Sequence, residues 1–258
     1  MKLDGFFETN KRIAVAFSGG VDSTYLLYAA VKSGTDAKAY CVRSAFQPGF
    51  EFEDARRLAE QIGAEFEVIE IDVLSDESVT ANPADRCYYC KTRVMTAIKA
   101  TAEADGYDTV CDGTNASDDI ADRPGAKALK ELGIRSPLRE CGLRKTEIRK
   151  LSKEAGLPTW DKPAYACLAT RIRTGEKITA EKLRITEEAE RRMMGMGFRD
   201  FRVRMRGNNA LVQIAEDQYT NALVCESEIK TALADLYEKV EIDNVPRLRN
   251  IDLKAMGL

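Results

Sequence analysis

The chain of 258 residues is long enough for one large domain or two small ones, and its 44% hydrophobic and 31% charged residues are typical of a globular protein. A formal net charge of −3 provides no basic field for nucleic acid, and no apolar run of about 18 residues could span a membrane. The absence of histidine excludes a Ser-His-Asp triad, a histidine general base and a mixed Cys/His zinc site.

A glycine-rich turn between a predicted strand and a predicted helix is the first notable motif. Apolar residues at 13–17 predict a buried strand, 22–32 predict a helix, and Ser-Gly-Gly lies between them. Such a corner directs backbone N–H groups and a helix N-terminus toward one point, which favours a phosphate. Ser18 and Ser23 add hydroxyl groups. Asp22 would repel a phosphate, so we expect it either to hold Mg²⁺ beside the phosphate or to cap the helix.

Predicted strands alternate with predicted helices along the first two thirds of the chain, which indicates an α/β domain with a parallel sheet and helices on both faces. Further strands are predicted at 37–42, 65–71 and 107–111, and helices at 50–62, 83–104 and 145–155. Ligands of such sheets bind at the carboxyl ends of the strands. Because Gly113, Asn115 and Asp118 follow the fourth strand, we expect them to face the same ligand as the Ser18 turn.

The pattern changes after residue 165 to that of a small α+β unit, so we predict domains at 1–170 and 171–258. Its elements are predicted as a helix at 180–196, strands at 201–205 and 210–214, a helix at 218–236 and a strand near Val240. On the first of these strands, Arg202 and Arg204 share one face and can hold a phosphate or a carboxylate, although a solvated edge face is the alternative. Glu190 on the preceding helix could orient one of them.

Seven cysteines, in a chain whose N-terminus lacks the pattern of a signal peptide, predict a cytoplasmic protein with reactive thiols or a metal site rather than disulfides. Cys87 and Cys90 are spaced to share one side of a helix and one metal or cluster. Cys167 lies in a proline-led loop beside an arginine. Three cysteines without histidine suit a cluster with one open iron better than zinc, although Cys141 or Cys111 could complete a zinc site and the pair could simply pack.

Taken together, these motifs resemble the LarE family over nearly the whole chain. The segment 18–23, Ser-Gly-Gly-Val-Asp-Ser, is similar at every fixed position to the pyrophosphate loop (PP-loop) of ATP pyrophosphatases, whose fold is adenine nucleotide alpha-hydrolase-like. More specific to LarE proteins are Asp-Gly-Thr-Asn at 112–115, Arg-Ser-Pro-Leu at 135–138, Trp-Asp-Lys-Pro at 160–163, Cys-Leu-Ala-Thr-Arg at 167–171 and Arg-Val-Arg at 202–204.

The resemblance implies an ATP-dependent sulfur transferase of nickel-pincer nucleotide synthesis, the cofactor of lactate racemase. Members adenylate the carboxylates of pyridinium-3,5-biscarboxylic acid mononucleotide, release pyrophosphate and form thiocarboxylates. It further implies that residues of the PP-loop hold ATP with Mg²⁺, that Arg202, Arg204 and Glu190 bind the nucleotide substrate, and that members form homo-oligomers. The PP-loop residues are Ser18, Gly19, Gly20, Asp22 and Ser23.

Within the family, some members give up the sulfur of a single cysteine at the Cys167 position, whereas others hold a [4Fe-4S] cluster with three cysteines. The presence of Cys87 and Cys90 resembles the cluster type, so we expect these two and Cys167 to be the metal ligands, with Cys167 and Asp22 as catalytic residues. Sacrificial transfer from Cys167 is the alternative. A tRNA 2-thiolation enzyme, an amide-forming ligase and a non-catalytic module that binds ATP and an Fe–S cluster are the rival functions.

Overall fold

The structure, a computed structural model, describes residues 3–119 and 124–248. The described residues divide into two compact units: the first holds the chain up to Val73 together with Asp85–Lys162, and the second holds Leu74–Ala84 and the chain from Pro163 onward. Within the described ranges, no helix combines the length and the apolar character that a membrane crossing requires.

Strands and helices alternate in the first unit, as the sequence predicts. The described strands of the chain are β1 (Arg12–Ala16), β2 (Asp36–Arg43), β3 (Glu65–Glu70), β4 (Val110–Cys111), β5 (Phe201–Arg206), β6 (Asn209–Ile214) and β7 (Lys239–Ile242). The described α-helices are α1 (Leu3–Thr9), α2 (Val21–Lys32), α3 (Gly49–Ile62), α4 (Glu77–Thr80), α5 (Arg86–Ala104), α6 (Pro124–Glu131), α7 (Pro137–Glu140), α8 (Lys145–Glu154), α9 (Ala180–Gly195), α10 (Glu216–Val224) and α11 (Glu226–Leu233).

A parallel sheet in the order β3-β2-β1-β4 forms the centre of the first unit. On one face, Ile13 and Val15 of β1 pack with Leu27 of α2 and with side chains of α1, α3 and α8. On the other face, Ala14 of β1 and Tyr40 of β2 pack with α5 and α6. Alternate side chains of one strand therefore enter opposite cores, which confirms the prediction of a parallel sheet with helices on both faces.

Several observed elements differ from the predicted ones. Helix α1, for which the sequence analysis predicts no element, buries Phe6 and Phe7 in the sheet core, and the strand predicted at 107–111 is limited to Val110–Cys111. The helix predicted at 83–104 begins at Arg86, because Asn82 has a left-handed φ of 55° and its side chain bonds to the carbonyl of Arg173 at 2.8 Å. The helix predicted at 218–236 is two helices that meet at Cys225.

The second unit contains a mixed sheet in the order β5-β6-β7, with β5 and β6 antiparallel and β6 and β7 parallel. Segment 74–84 belongs to this unit because its backbone bonds to the loop before α9: the amide of Gly175 donates to Asn82 O and that of Ile178 to Thr80 O, both at 2.8 Å. A single boundary at residue 170 does not describe this division, since hydrogen bonds between distant segments are not visible in local composition.

Candidate functional site

The predicted glycine corner forms between β1 and α2. Gly19 has a left-handed φ of 68°, and Gly20 is the N-cap of α2 and has no side-chain cap. The hydroxyl of the buried Ser23 donates to Gly20 O at 3.2 Å and accepts from the amide of Ser18 at 3.3 Å, and the two serine hydroxyls are 3.3 Å apart. These hydrogen bonds stabilise the turn without using the first N–H groups of α2, so those groups remain available for an anion.

Substitution of Gly19 by alanine is expected to damage this corner. An added Cβ would lie 3.0 Å from the Cα and Cβ of Ala55, and an L-residue at this φ costs about 1–2 kcal/mol. We expect the Kd for ATP to rise about tenfold in Gly19→Ala, measured by calorimetry. Gly34→Ala is the matched control, because Gly34 has a similar φ of 78° but nothing within 4 Å of an added Cβ. Equal ATP binding by both variants would contradict the expectation.

The loop after β4 lies against the first turn of α2, as expected for two loops that both follow the carboxyl ends of parallel strands. A Cβ on Gly113 would come within 2.9 Å of the amide nitrogen of Ser23, so only glycine allows this approach. The Asn115 side chain donates to Asp22 at 3.3 Å, and the Asp118 carboxylate accepts from the amide of Asn115 at 2.9 Å. Gly113 and Asn115 therefore contact the corner directly, and Asp118 shapes the turn that carries Asn115.

The Asp22 carboxylate does not cap α2, since it lies in the first turn and the cap position belongs to Gly20. Its Oδ2 forms an ion pair with Nζ of Lys145, the first residue of α8. Burial raises the pKa of Asp22, while the charge of Lys145 opposes that rise. The cap hypothesis is wrong, and the Asp22 carboxylate contacts the side chains of Lys145 and Asn115 instead.

Lys145 is a site residue that the sequence analysis missed. A lysine at the first position of a helix is electrostatically unfavourable, because the helix dipole is positive there. That position was the available signal, since such a lysine needs a nearby anion to offset the cost. In the structure the anion is Asp22, 123 positions earlier in the chain.

The cysteine pair lies on α5 in the first unit. Cys87 is exposed and Cys90 is half-buried, and the Arg86 guanidinium donates to Sγ of Cys87 at 3.6 Å. Cys167 in the second unit is exposed at the start of a short 3₁₀ turn, Leu168–Arg171. Within the described part of either unit, no three Cys, Asp or Glu side chains are gathered as a metal site. The structure places Cys87 and Cys90 three positions apart on the same helix.

Glu190 is buried in the second unit rather than exposed on the surface of α9, with 1% of its side chain accessible. Its Oε1 accepts from Nε of Arg171 at 2.7 Å, its Oε2 accepts from Nη2 at 3.0 Å, and Oε1 also accepts from the amide of Val203 at 2.9 Å. The Tyr165 hydroxyl donates to Oε2 as well. Glu190 therefore joins α9, β5 and the loop before the 3₁₀ turn, and its two hydrogen bonds hold the pKa of Arg171 above the usual value despite burial.

Arg202 and Arg204 share one face of β5, as predicted, while Phe201, Val203 and Met205 enter the core. Arg202 is 5% exposed and donates to Phe201 O at 2.6 Å and to Ala164 O, and Arg204 donates to Gln213 at 3.0 Å and to Thr170 O. Burial and the charges of Arg171 and Arg247 lower the pKa of Arg202 to about 10. Arg202 is therefore buried and Arg204 half-buried, so this part of the face is not a fully solvated edge.

Comparison with known proteins identifies a matching family model, similar sequences and a similar solved structure. A family model described as asparagine synthase matches residues 7–100. The chain is 40% identical over 218 residues to the uncharacterized protein slr1717 of Synechocystis sp., covering 84% of this chain and 81% of that protein. The solved structure of NMN synthetase from Francisella tularensis has a TM-score of 0.48 at 19% identity and covers 63% of this chain and 72% of that one.

A further relative, matched over most of the chain, is named for its activity. Pyridinium-3,5-bisthiocarboxylic acid mononucleotide synthase of Lactiplantibacillus plantarum is 33% identical over 228 residues, which cover 88% of this chain and 83% of that protein. A match over this share of the chain is too long to lie within one unit and therefore extends over both. The chain therefore belongs to the LarE family of PP-loop, ATP-dependent sulfurtransferases.

Proposed function

We propose that this chain inserts sulfur into pyridinium-3,5-biscarboxylic acid mononucleotide, adenylating each carboxylate and converting it to a thiocarboxylate for the nickel-pincer cofactor of lactate racemase. The observation that carries the proposal is the glycine corner with its Asp22–Lys145 pair, in a chain 33% identical to a pyridinium-3,5-bisthiocarboxylic acid mononucleotide synthase. The corner supports the first half of this chemistry, and the arginine face of β5 supports binding of the substrate.

Adenylation requires a site that stabilises a departing pyrophosphate. A substrate carboxylate oxygen attacks the α-phosphorus of ATP, the bond from that phosphorus to the bridging oxygen of the β-phosphate breaks, and pyrophosphate leaves. The N–H groups at the start of α2 and the Ser18 hydroxyl would hold its oxygens, and Lys145 would offset the developing charge. Mg²⁺ bound by Asp22 would neutralise further phosphate charge.

Sulfur transfer completes the reaction because AMP is a far better leaving group than a carboxylate oxygen. Sulfide adds to the activated carbonyl carbon, and the bond to the AMP oxygen breaks, leaving the thiocarboxylate and AMP. Arg202 and Arg204 would hold the phosphate of the mononucleotide substrate, because guanidinium groups match phosphate oxygens in pairs. Glu190 would take part through Arg171, whose guanidinium it orients.

We further propose that a [4Fe-4S] cluster, held by three cysteines, is the source of sulfur. Cys87 and Cys90 lie three positions apart on α5, both at least partly accessible, and Cys167 is exposed in the second unit. Three thiolates without histidine suit a cluster with one iron left open. Cys87, Cys90 and Cys167 would hold it, and when bound it would supply sulfide to the activated carboxyl group.

The direct test is an assay of both half-reactions with purified protein, MgATP and the dicarboxylate mononucleotide. We expect pyrophosphate and AMP to appear only when the mononucleotide is present, followed by a mass increase of the product for each oxygen replaced by sulfur. ATP binding without pyrophosphate release would contradict the proposal and favour a non-catalytic module.

The cluster has its own test, which does not depend on activity. We expect protein purified without oxygen to be brown, with iron and sulfide in equal amounts, and Cys87→Ala to lose the colour and most of the iron. Cys225→Ala is the matched control, because this half-buried thiol lies on the second unit and outside the proposed ligands. A colourless, iron-free wild type would instead assign Cys167 the sacrificial role.

The proposed partner is the small mononucleotide, with no nucleic acid, and the proposed assembly is a homo-oligomer like that of family members. The arginine face is too short and too buried to follow a nucleic acid backbone, and the net charge is −3. A gel shift with tRNA at moderate salt should show no complex, while light scattering should give a mass that is a multiple of 28.7 kDa.

A further inference from the structure

The arginine cluster of the second unit has more positive charge than its carboxylates balance. Arg171 is paired with Glu190, and Arg247 is paired with Asp200 at 2.6 Å. Among the described residues, no carboxylate lies within hydrogen-bond distance of the remaining two members, Arg202 and Arg204. Arg202 is buried and Arg204 is half-buried, and a guanidinium that is removed from water without an anion is costly, so both side chains are suited to accept one.

Arg202 and Arg204 each donate one hydrogen bond to a backbone carbonyl of the same loop, in addition to their bonds to Phe201 O and Gln213. We call residues 164–170 the cysteine loop, because Cys167 lies at its centre. Arg202 donates to Ala164 O, Arg171 donates to Ala166 O at 3.0 Å, and Arg204 donates to Thr170 O. The loop is therefore held at its start, near its middle and at its end by three guanidinium groups.

The three guanidinium groups differ in how readily an anion can displace the loop carbonyl that each one bonds. Arg171 is locked by its bidentate pair with Glu190, and both side chains are almost fully buried. Arg202 and Arg204 have only uncharged acceptors, namely carbonyls and the Gln213 amide oxygen. An anion forms roughly twice as strong a hydrogen bond to a guanidinium as a carbonyl does, so an arriving phosphate would displace the carbonyls at these two positions but not at Arg171.

We propose that the phosphate group of the substrate binds Arg202 and Arg204 and replaces the carbonyls of Ala164 and Thr170 as their hydrogen-bond acceptors. Phosphate binding thereby releases the two ends of the cysteine loop, which stays attached at Arg171. This inference rests on the proposed function and adds the step that frees Cys167. Arg171 is then a positioning residue for Cys167. The lowered pKa of Arg202, caused by burial and by the neighbouring guanidinium groups, agrees with a cation that lacks an anion.

Hydrogen–deuterium exchange of the full chain tests the release, with inorganic phosphate as the probe and sodium chloride at equal ionic strength as the reference. Ordinary ligand binding slows exchange near the ligand. The proposal requires the opposite sign in the loop: amides of 164–170 should exchange faster with phosphate, while those of β5 should exchange more slowly. Unchanged or slower exchange in 164–170 overturns the inference.

Arg204→Met should imitate the effect of phosphate at one attachment. We expect amide exchange in the cysteine loop to be about tenfold faster than in wild type without phosphate, the effect of losing one charge-assisted hydrogen bond. Arg206→Met is the matched control, because Arg206 is on the same face of β5 but is exposed and is not one of the three arginines that donate to the loop. Equal loop exchange in the two variants overturns the inference, and circular dichroism verifies that each has folded.

Failure of this inference differs from failure of the proposed function. A chain that forms thiocarboxylate while phosphate leaves its loop exchange unchanged retains the function and lacks the release. A chain whose loop exchange rises with phosphate, but which forms no thiocarboxylate, has the release and lacks the function.

Discussion

Lys145→Met is expected to lower the rate of pyrophosphate release by about 10²- to 10³-fold, the usual cost of removing one charged group that stabilises a transition state. Lys145 is the cation at Asp22, beside the first turn of α2, so its loss would leave the departing pyrophosphate without that counter-charge. The rate is measured with MgATP and the dicarboxylate mononucleotide at saturating concentrations.

The same variant should change the pH dependence in a defined direction. Burial raises the pKa of Asp22 and Lys145 lowers it, so removal of Lys145 raises that pKa further. If activity requires ionised Asp22, the acid limb of the rate profile should move to higher pH in Lys145→Met. Lys150→Met is the control on the same helix, because Lys150 is exposed, and it should retain wild-type rate and profile. A Lys145→Met enzyme with a rate within twofold of wild type would remove Lys145 from the site.

Glu190→Gln is expected to lower the free energy of unfolding of the second unit by about 3–5 kcal/mol, since it leaves the buried Arg171 charge without its anion. The substitution keeps the shape of the side chain, so the loss would report charge and not a cavity. Urea denaturation followed by circular dichroism measures it.

Glu188→Gln is the matched control two positions away on α9. The Glu188 carboxylate pairs with Arg191 and Arg192 at 2.7 Å, but this group is on the solvent side of the helix and its loss should not shift the urea midpoint measurably. If Glu190→Gln instead keeps its stability and loses kcat/KM, Glu190 contacts substrate directly and does not act through Arg171.

Local motifs were sufficient to predict the first half of the candidate site. A buried strand, a Ser-Gly-Gly turn and a helix are specified by residues adjacent in sequence, and their order alone determines where Ser18, Gly19 and Gly20 lie. The rule that ligands bind at the carboxyl ends of parallel strands also predicted that Gly113 and Asn115 would face this corner. In the structure β4 lies directly beside β1, and both residues contact the corner.

The alternation of side chains along a strand predicted that Arg202 and Arg204 share one face, but it predicted neither their burial nor their hydrogen-bond partners. The period of a strand decides which side chains share a face, whereas the loop that covers that face comes from residues some forty positions earlier. Glu190 could equally have been a surface charge on α9, since the helical pattern does not reveal that Arg171 lies opposite it.

The sequence by itself determined the α/β architecture, the anion-binding corner and the family, because each depends on residues that are close together or on motifs that are matched as strings. Only the tertiary structure decided that Lys145 meets Asp22, that Glu190 locks Arg171, and that the arginines of β5 hold the cysteine loop. The physical reason is that an ion pair or a guanidinium–carbonyl bond depends on distance in space, and neither charge pattern nor periodicity specifies which distant segments fold against each other.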